Sequence, residues 1–532
     1  MKKNILYITL VVFMSTTMLS SCAGDWLDRE PSTALPREIA ITNLGEAFAA
    51  LNGMYDAVQG TSGWNSWYGS RFIVHGDVRG DDMQARAAAM RSGPTYLMQY
   101  VAGTAPTLWI QPYRAINRAN NLIQILEETD EILGLTDAVR DDMIGQALAV
   151  RALAHFDLLR LNARPYTATP ITIDGNISGG RNGLGVPIIT IPPAALDTPA
   201  RNTIGEVYDQ IVADLLKAID LMFEDRSNIL PYRGATFIRG WFNAWSAKAL
   251  LARVYLYMGN FTEAYRFSTE VIAGSGRSLG EFTLNPDGFI DDWMGQIRSE
   301  ILFEIVNYST DDWVDREAIG YLYAEAGYED AIMTQAFINL METYYADDLR
   351  WGVMLPSRRN PDASRPWNIV IPANADQGIA ADTIWNRVFI NKWHGRGDVR
   401  LSNIPILRLS EMYLIAAEAA YQNNNPTSAA AHLNAIVLRG NPDATPVTPA
   451  DANLDRILQE RRVEFVGEGH RFFDLMRTNR RIVRYNDATD IGWHLPLSLT
   501  ARNFDNTYFR AILPIPEAEM NANPNMVQNP GY

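Results

Sequence analysis

Cysteine is all but missing from this chain: Cys22 stands alone among 532 residues. Disulfide frameworks, cysteine-ligated zinc sites and iron–sulfur clusters each need several, so all three are excluded. Lysine is nearly as scarce, with five Lys against 41 Arg. Arg offers a planar fork of donors that Lys lacks, yet a bias this general reads as a compositional habit. Acidic residues exceed basic ones by 61 to 46, and no dense basic run is present, so nucleic acid is a poor partner. Charged residues reach only 20% while hydrophobic ones reach 47%, which rules out a largely disordered polyelectrolyte. Phosphate loop, dinucleotide fingerprint, H-E-x-x-H and the EF-hand pattern are all absent, and the six His are scattered singly. Gly276-Arg-Ser278-Leu-Gly280 spells G-x-S-x-G, but it follows a helix end, where a nucleophile elbow would join a strand to a helix.

What is present begins at the N-terminus. Lys2-Lys3 precedes an apolar run from Ile5 to Leu19, the layout of a secretory signal peptide. The run is short against the roughly 20 apolar residues of a membrane span. Leu19-Ser20-Ser21-Cys22 resembles the lipobox of bacterial lipoproteins, which makes Cys22 the expected lipidation site. Several acyl chains anchor stably, because each buried CH₂ contributes about 0.8 kcal/mol. The expected organisation is a lipoprotein signal peptide at 1–21, a lipidated tether at 22–36 and a single helical domain at 37–532. That domain has an N-terminal part of roughly 37–230 and a C-terminal part of roughly 300–532.

Helical periodicity recurs along the domain. Ile144, Leu148, Ala152, Phe156 and Leu159 share one face, as do Ala247, Leu251, Val254 and Met258 before the stop at Gly259-Asn260. Ala264, Phe267 and Val271 follow, then Leu409, Met412, Ala416 and Ala419, then Ala430, Leu433 and Val437 up to Gly440. Pairs of helices joined by tight turns, with Ala where they cross, predict a mainly α, tetratricopeptide-like scaffold. Long insertions at 162–202, 275–298 and 355–405 interrupt it, and Val186–Ile191 and Ile301–Val306 read as short strands. Loops of that length are usually functional.

Seven segments in order make the chain resemble the SusD/RagB family of Bacteroidota outer-membrane lipoproteins. They are Cys22–Asp28, Tyr113–Ile123, Arg151–Arg160 with Pro165-Tyr166, Ala247–Leu256, Leu407–Ala419, Glu460–Leu475, and Leu513–Pro516 with Gln528–Tyr532. The resemblance implies a surface-exposed lipoprotein that captures oligosaccharides and passes them to a SusC-like TonB-dependent transporter, with no cofactor and no catalysis. Some relatives of this kind take peptides, which keeps peptide cargo as an alternative. An anchored all-α glycoside hydrolase is a further one, since it needs only two suitably spaced carboxylates.

Sugar rings pack on aromatic planes, and their hydroxyls bond to Asp, Asn, Gln and Arg. Candidate contacts are therefore aromatics with polar neighbours. Asp311, Asp312, Trp313, Tyr321, Tyr323 and Tyr328 form one such group, in the region where the resemblance places part of the ligand site. Trp64, Trp67 and Tyr68 form a second within a Gly-bounded turn, and Trp293 a third beside Asp291-Asp292. The acidic loop supplies Asp81, Asp82, Gln84 and Arg86, and its Ala-rich continuation departs from the aromatics of starch-binding relatives. In Glu460–Arg477, Glu468 is expected to pair with Arg471, and Asp474 with Arg477, along a structural helix.

Overall fold

Periodic segments become helices that start and stop where the capping chemistry predicts. The computed structural model describes residues 40–60, 66–86, 90–105, 108–194, 196–233, 238–279, 299–308, 317–324, 327–351, 369–370, 384–385, 389–390, 392–393, 395, 398–484 and 497–532. The signal segment and the whole tether, Cys22 included, lie outside that set.

In chain order the elements are α1 (Leu44–Gln59), α2 (Arg71–Val78), β1 (Met83–Ala85), α3 (Gly93–Leu97), α4 (Ile110–Glu128), α5 (Asp137–Asn162), β2 (Ile171–Ile173) and β3 (Asn176–Ser178). Next come α6 (Ile204–Leu221), α7 (Ala244–Met258), α8 (Phe261–Gly274), β4 (Ile301–Ile305), α9 (Ile319–Tyr323), β5 (Ala331–Met333), α10 (Gln335–Tyr344), β6 (Ile369–Val370) and β7 (Ile384–Trp385). The chain closes with β8 (Ile404–Arg408), α11 (Leu409–Gln422), α12 (Pro426–Gly440), α13 (Leu454–Glu464), α14 (Arg471–Arg477), β9 (Ile482–Val483), α15 (Leu499–Arg502), β10 (Asn503–Phe504) and α16 (Glu517–Ala522).

Side chains satisfy the free amides of the helix ends. Thr203 with Glu206 and Asn243 with Ser246 form reciprocal capping boxes at α6 and α7. Gly259, at φ 72°, ends α7, and Asn260 at once caps α8. Asn425 caps α12, whose first residue is Pro426. The apolar faces read from the sequence are buried, including all five named residues of α5 and the Ala-rich faces of α7 and α11.

These faces stack in series. α1 packs on α4, α4 on α5, α5 on α6, α6 on α7 and α7 on α8. The next neighbour of α8 is α11, which in turn packs on α12 and α13. The stack thus continues across the long 275–408 excursion, consistent with a tetratricopeptide-like scaffold. Strands serve only as local clasps: β4 pairs antiparallel with β8 through shifted register, and β1 pairs antiparallel with β5. No strand forms at Val186–Ile191; only Ile301–Val306 becomes one, as β4. The reason is that side chains take the backbone groups of the former segment. Asn120 Nδ2 donates to the carbonyls of Ile189 and Ile191, Arg151 donates to that of Thr190, and the Ile189 amide donates to His155 Nε2.

The arginine excess also has a structural outcome. Arg151 grips Asp214, Arg226 grips Asp142, Arg253 grips Glu411 and Arg477 grips Glu418, each through two nitrogens with both partners buried. Such forks suit Arg and not Lys. The densest cluster joins β4, β8, α12 and α13: Arg408 reaches Glu464 at 2.6 Å, Glu468 at 2.9 Å and Glu300 at 3.3 Å. Arg439 contacts Glu300 and Glu464, Lys392 holds Glu468 at 2.6 Å, and Arg350 bridges Asp348, Glu460 and Glu464. Asp474 does pair with Arg477, at 2.8 Å. Glu468, however, does not pair with Arg471, because it precedes α14 and turns toward Arg408 and Lys392. Arg471 instead meets Asp81.

Candidate functional site

The tyrosines named from the sequence are gathered by a tight return of the chain. After α9 the backbone doubles back, so that the Tyr328 amide donates to the Tyr321 carbonyl at 2.8 Å and the Asp330 amide to the Leu322 carbonyl at 2.7 Å. A Cβ on Gly327 would lie 1.9 Å from the Tyr321 oxygen, so only glycine fits this return. The Tyr321 and Tyr328 rings meet edge to face, with centroids 5.0 Å apart, and both remain partly exposed.

Arg91 lies over this pair. Its guanidinium is 4.1 Å from the Tyr328 ring centroid and donates to the Tyr328 hydroxyl at 3.2 Å. The same guanidinium pairs with Glu317, which also pairs with the buried Arg71 of α2. Burial works against the charge of Arg91, and Glu317 and Tyr328 more than offset it, so its pKa is raised. The loop carrying Arg91 is fixed from beneath: the carboxylate of Asp330 accepts from the Arg91 and Ser92 amides, each at 2.7 Å. Burial pushes the Asp330 pKa up against those hydrogen bonds. The β1–β5 clasp sets the register between the two loops, and at its end Arg86 lies 3.5 Å from Glu329.

Other sequence candidates fall elsewhere. Trp67 is fully buried, with its indole N–H donating to Asp157 at 3.0 Å, and Tyr68 is buried beside it against Phe72. Tyr323 is fully buried and donates to Asp77 at 3.0 Å. None of these three rings offers an open face for stacking, because the turn before α2 and the inner side of α9 both point into the core. Asp81 and Asp82 are spent on guanidinium groups, the first on Arg471 at 2.6 Å and the second on Arg462. Burial raises both, but at Asp81 the Arg471 and Arg462 charges win and the pKa falls, whereas at Asp82 burial wins. Gln84 is buried within β1. Trp64, Trp293, Asp311, Asp312 and Trp313 lie outside the described residues.

Arg91, Glu317, Asp330 and Arg71 were not singled out in the sequence. Arg91 could have been, since it lies five residues beyond Arg86 at the end of the same loop. Glu317 and Asp330 carry no spacing signal. Among the described residues no group of three His, Cys, Asp or Glu is placed to hold a metal, and no helix is long and apolar enough to cross a membrane. In the acidic loop Asp77 accepts from Gly469 and Tyr323, Asp81 from Arg471, and Asp82 through Oδ1 from Arg462. Chemically, the patch presents partly exposed phenol rings and a guanidinium held by a buried carboxylate. It can stack on a ring face and exchange hydrogen bonds with hydroxyls.

The sequence model described as the SusD family matches residues 309–532, and one described as starch-binding associating with outer membrane matches residues 25–256. A SusD superfamily protein of Bacteroides thetaiotaomicron superposes with a TM-score of 0.76 at 32% identity, covering 92% of this chain and 100% of that one. A protein of Bacteroides vulgatus described as sugar-binding superposes with a TM-score of 0.75 at 32% identity, covering 93% and 99%. SusD-like protein P38 of Formosa agariphila is 25% identical over 522 residues, which is 90% of this chain and 92% of that protein.

Proposed function

Because the chain belongs to the SusD family, we propose that it is an outer-membrane lipoprotein, anchored through Cys22 and facing the exterior, that captures oligosaccharides and delivers them to a SusC-like TonB-dependent transporter. The observation that carries this reading is the Tyr321–Tyr328 pair held under Arg91. Its rings are partly exposed, its cation is fixed, and its supports are buried charges belonging to the helical scaffold. Preorganised contacts of this kind lower the ordering cost of binding. In this reading the capture role is binding without turnover, and Glu317 serves as an anchor shared by two guanidinium groups.

The test is a glycan and peptide array with the chain starting at Ala23, followed by calorimetry and reducing-sugar assays on each ligand found. Binding to one class of oligosaccharide without product release, weakened by Arg91→Ala or Tyr328→Ala, is the expected result. Silence on glycans with binding to peptides would overturn the cargo assignment, and release of reducing ends would overturn the absence of catalysis. Co-purification with a β-barrel transporter from membranes tests the delivery step.

A further inference from the structure

A second cleft, of about 310 Å³, opens where the end of α8, the start of α7 and the segment after α6 converge. It shares no residue with the Tyr321–Tyr328 patch. Trp241 and Trp245 line it, together with Glu224, Asp225, Arg239 and Arg277. Most of its neighbours are settled: Asp225 accepts from Ser227, Arg239 pairs with Glu304, the Trp241 indole donates to Asn52 at 3.2 Å, and Lys248, paired with Glu270, lies 4.4 Å from the Trp245 ring centroid. Three polar groups are not. Among the described residues nothing accepts from the Arg277 guanidinium or the Trp245 indole N–H, and nothing donates to the Glu224 carboxylate. Arg277 is nonetheless largely withdrawn from solvent, and burial, with Arg239 nearby, lowers its pKa. Gly274 keeps the Trp245 ring in place, because a Cβ there would lie 2.2 Å from its Cη2.

We infer that this cleft is a second saccharide site, taking a neutral, polyhydroxylated ring. An indole beside an uncommitted donor and an uncommitted carboxylate matches vicinal hydroxyls, which donate to one and accept from the other. Charges of both signs line the cleft, so a ligand with net charge of either sign meets repulsion from one set. The volume accommodates one or two sugar rings at the lower edge of ordinary ligand pockets. The inference shares its ligand class with the proposed function but rests on different residues. A chain with two separated sites holds a polysaccharide at two points and gains avidity without tighter single contacts.

Hydrogen–deuterium exchange of the full chain, with maltoheptaose, laminarihexaose, xylohexaose and hexagalacturonate at millimolar concentration, tests it. The expected result is slowed exchange at 271–279 with at least one neutral probe. Trp245→Ala abolishes that slowing. Glu224→Gln, an exposed position where folding is not at stake, weakens it by about tenfold, the worth of one charge-assisted hydrogen bond. Protection at 317–330 persists in both variants. Protection at 317–330 without any at 271–279 overturns the cleft and leaves the first site standing. Protection at 271–279 alone supports the cleft and overturns the first site, and protection at neither overturns both. Preference for hexagalacturonate, or protection unchanged in both variants, also refutes the inference.

Discussion

Replacing Arg408 by Met tests whether the charges inside this protein are mutually dependent. Arg408 is buried, reaches three carboxylates between 2.6 and 3.3 Å, and covers the Phe465 ring at 4.4 Å. Met keeps much of the length and apolar bulk, so the loss is mainly of charge. Removing one partner of a buried pair usually costs about 3–5 kcal/mol, because the other charge is left uncompensated. Here Glu464 retains Arg439 and Arg350, and Glu468 retains Lys392, which places the cost near the lower figure. Unfolding entropy of roughly 2.1 cal/mol/K per residue, over a chain of this length, makes each kcal/mol worth about 1 °C, so a melting temperature about 3 °C lower is expected. The pH dependence is more specific. Burial raises the pKa of Glu464, but Arg439, Arg408 and Arg350 outweigh it and hold it well below its usual 4.5. A depressed acid contributes stability that is fully present above the usual value and is lost as pH falls below it. Without Arg408 that depression shrinks, yet Arg439 and Arg350 maintain part of it, so the deficit should stay full down to the usual 4.5 and close only as pH falls well below it. Thermal melts followed by circular dichroism measure both. A drop under about 1 °C at neutral pH, or a deficit that stays unchanged as pH falls well below 4.5, would refute the reasoning.

Burial raises the Asp77 pKa to about 8, so the folded state holds a proton that the unfolded state releases above 3.8. Stability from this group therefore falls as pH rises between those values, and Asp77→Asn should flatten that slope and melt no lower than wild type near pH 8. Gly76→Ala would place a Cβ 2.0 Å from the Gly469 carbonyl oxygen, forcing backbone apart where α2 meets the turn before α14; a melting temperature several degrees lower, or loss of soluble protein, is expected. Trp67→Ala empties a fully buried site and frees Asp157 of one donor, costing about 3–5 kcal/mol in a thermal melt. Tyr328→Ala should do the opposite, reducing oligosaccharide binding by about tenfold in calorimetry while the melt moves by under about 1 °C.

These contrasts trace what the sequence could and could not convey. Helix faces were legible because their signal is local: Ile144 to Leu159 repeat at steps of four and three, and Gly259 interrupts α7 where a left-handed residue is needed. The pairing of α8 with α11 was not, since 134 residues separate Gly274 from Leu409 and both faces are equally apolar. Charge pairing was legible only within a turn of helix, as for Asp474 and Arg477. Glu468 shows the limit: its neighbour in sequence offered a partner, and β8 supplied a closer one. Trp67 and Tyr68 read as a surface turn because glycine and asparagine surround them, yet an indole N–H that finds Asp157 can enter the core without an unsatisfied donor. Tyr321 and Tyr328 were found because aromatics near acidic residues are a compositional signal; Arg91, which organises them, was not, because its meaning depends on a loop 237 residues away.

That dependence explains how a patch made of loops can be firm. Among the described residues from 317 to 330, α9 is a single short turn, and backbone hydrogen bonds such as Tyr328 to Tyr321 and Asp330 to Leu322 hold the return that follows it. Carboxylates add to that order: Glu317 is tied to Arg71 on α2, and Asp330 is tied to the amides of Arg91 and Ser92. Burial lowers the pKa of Arg71, and the Glu317 and Asp330 charges oppose that shift. Replacing Glu317 by Gln should therefore act on binding through geometry. Arg91 loses the anchor that positions it over Tyr328, and Arg71 is left buried with one charge fewer beside it. Both effects predict weaker oligosaccharide binding together with a modest fall in melting temperature, whereas Tyr328→Ala lowers binding alone. A Glu317→Gln protein that binds as wild type would show that Arg91 is positioned by its ring contact and not by the carboxylate.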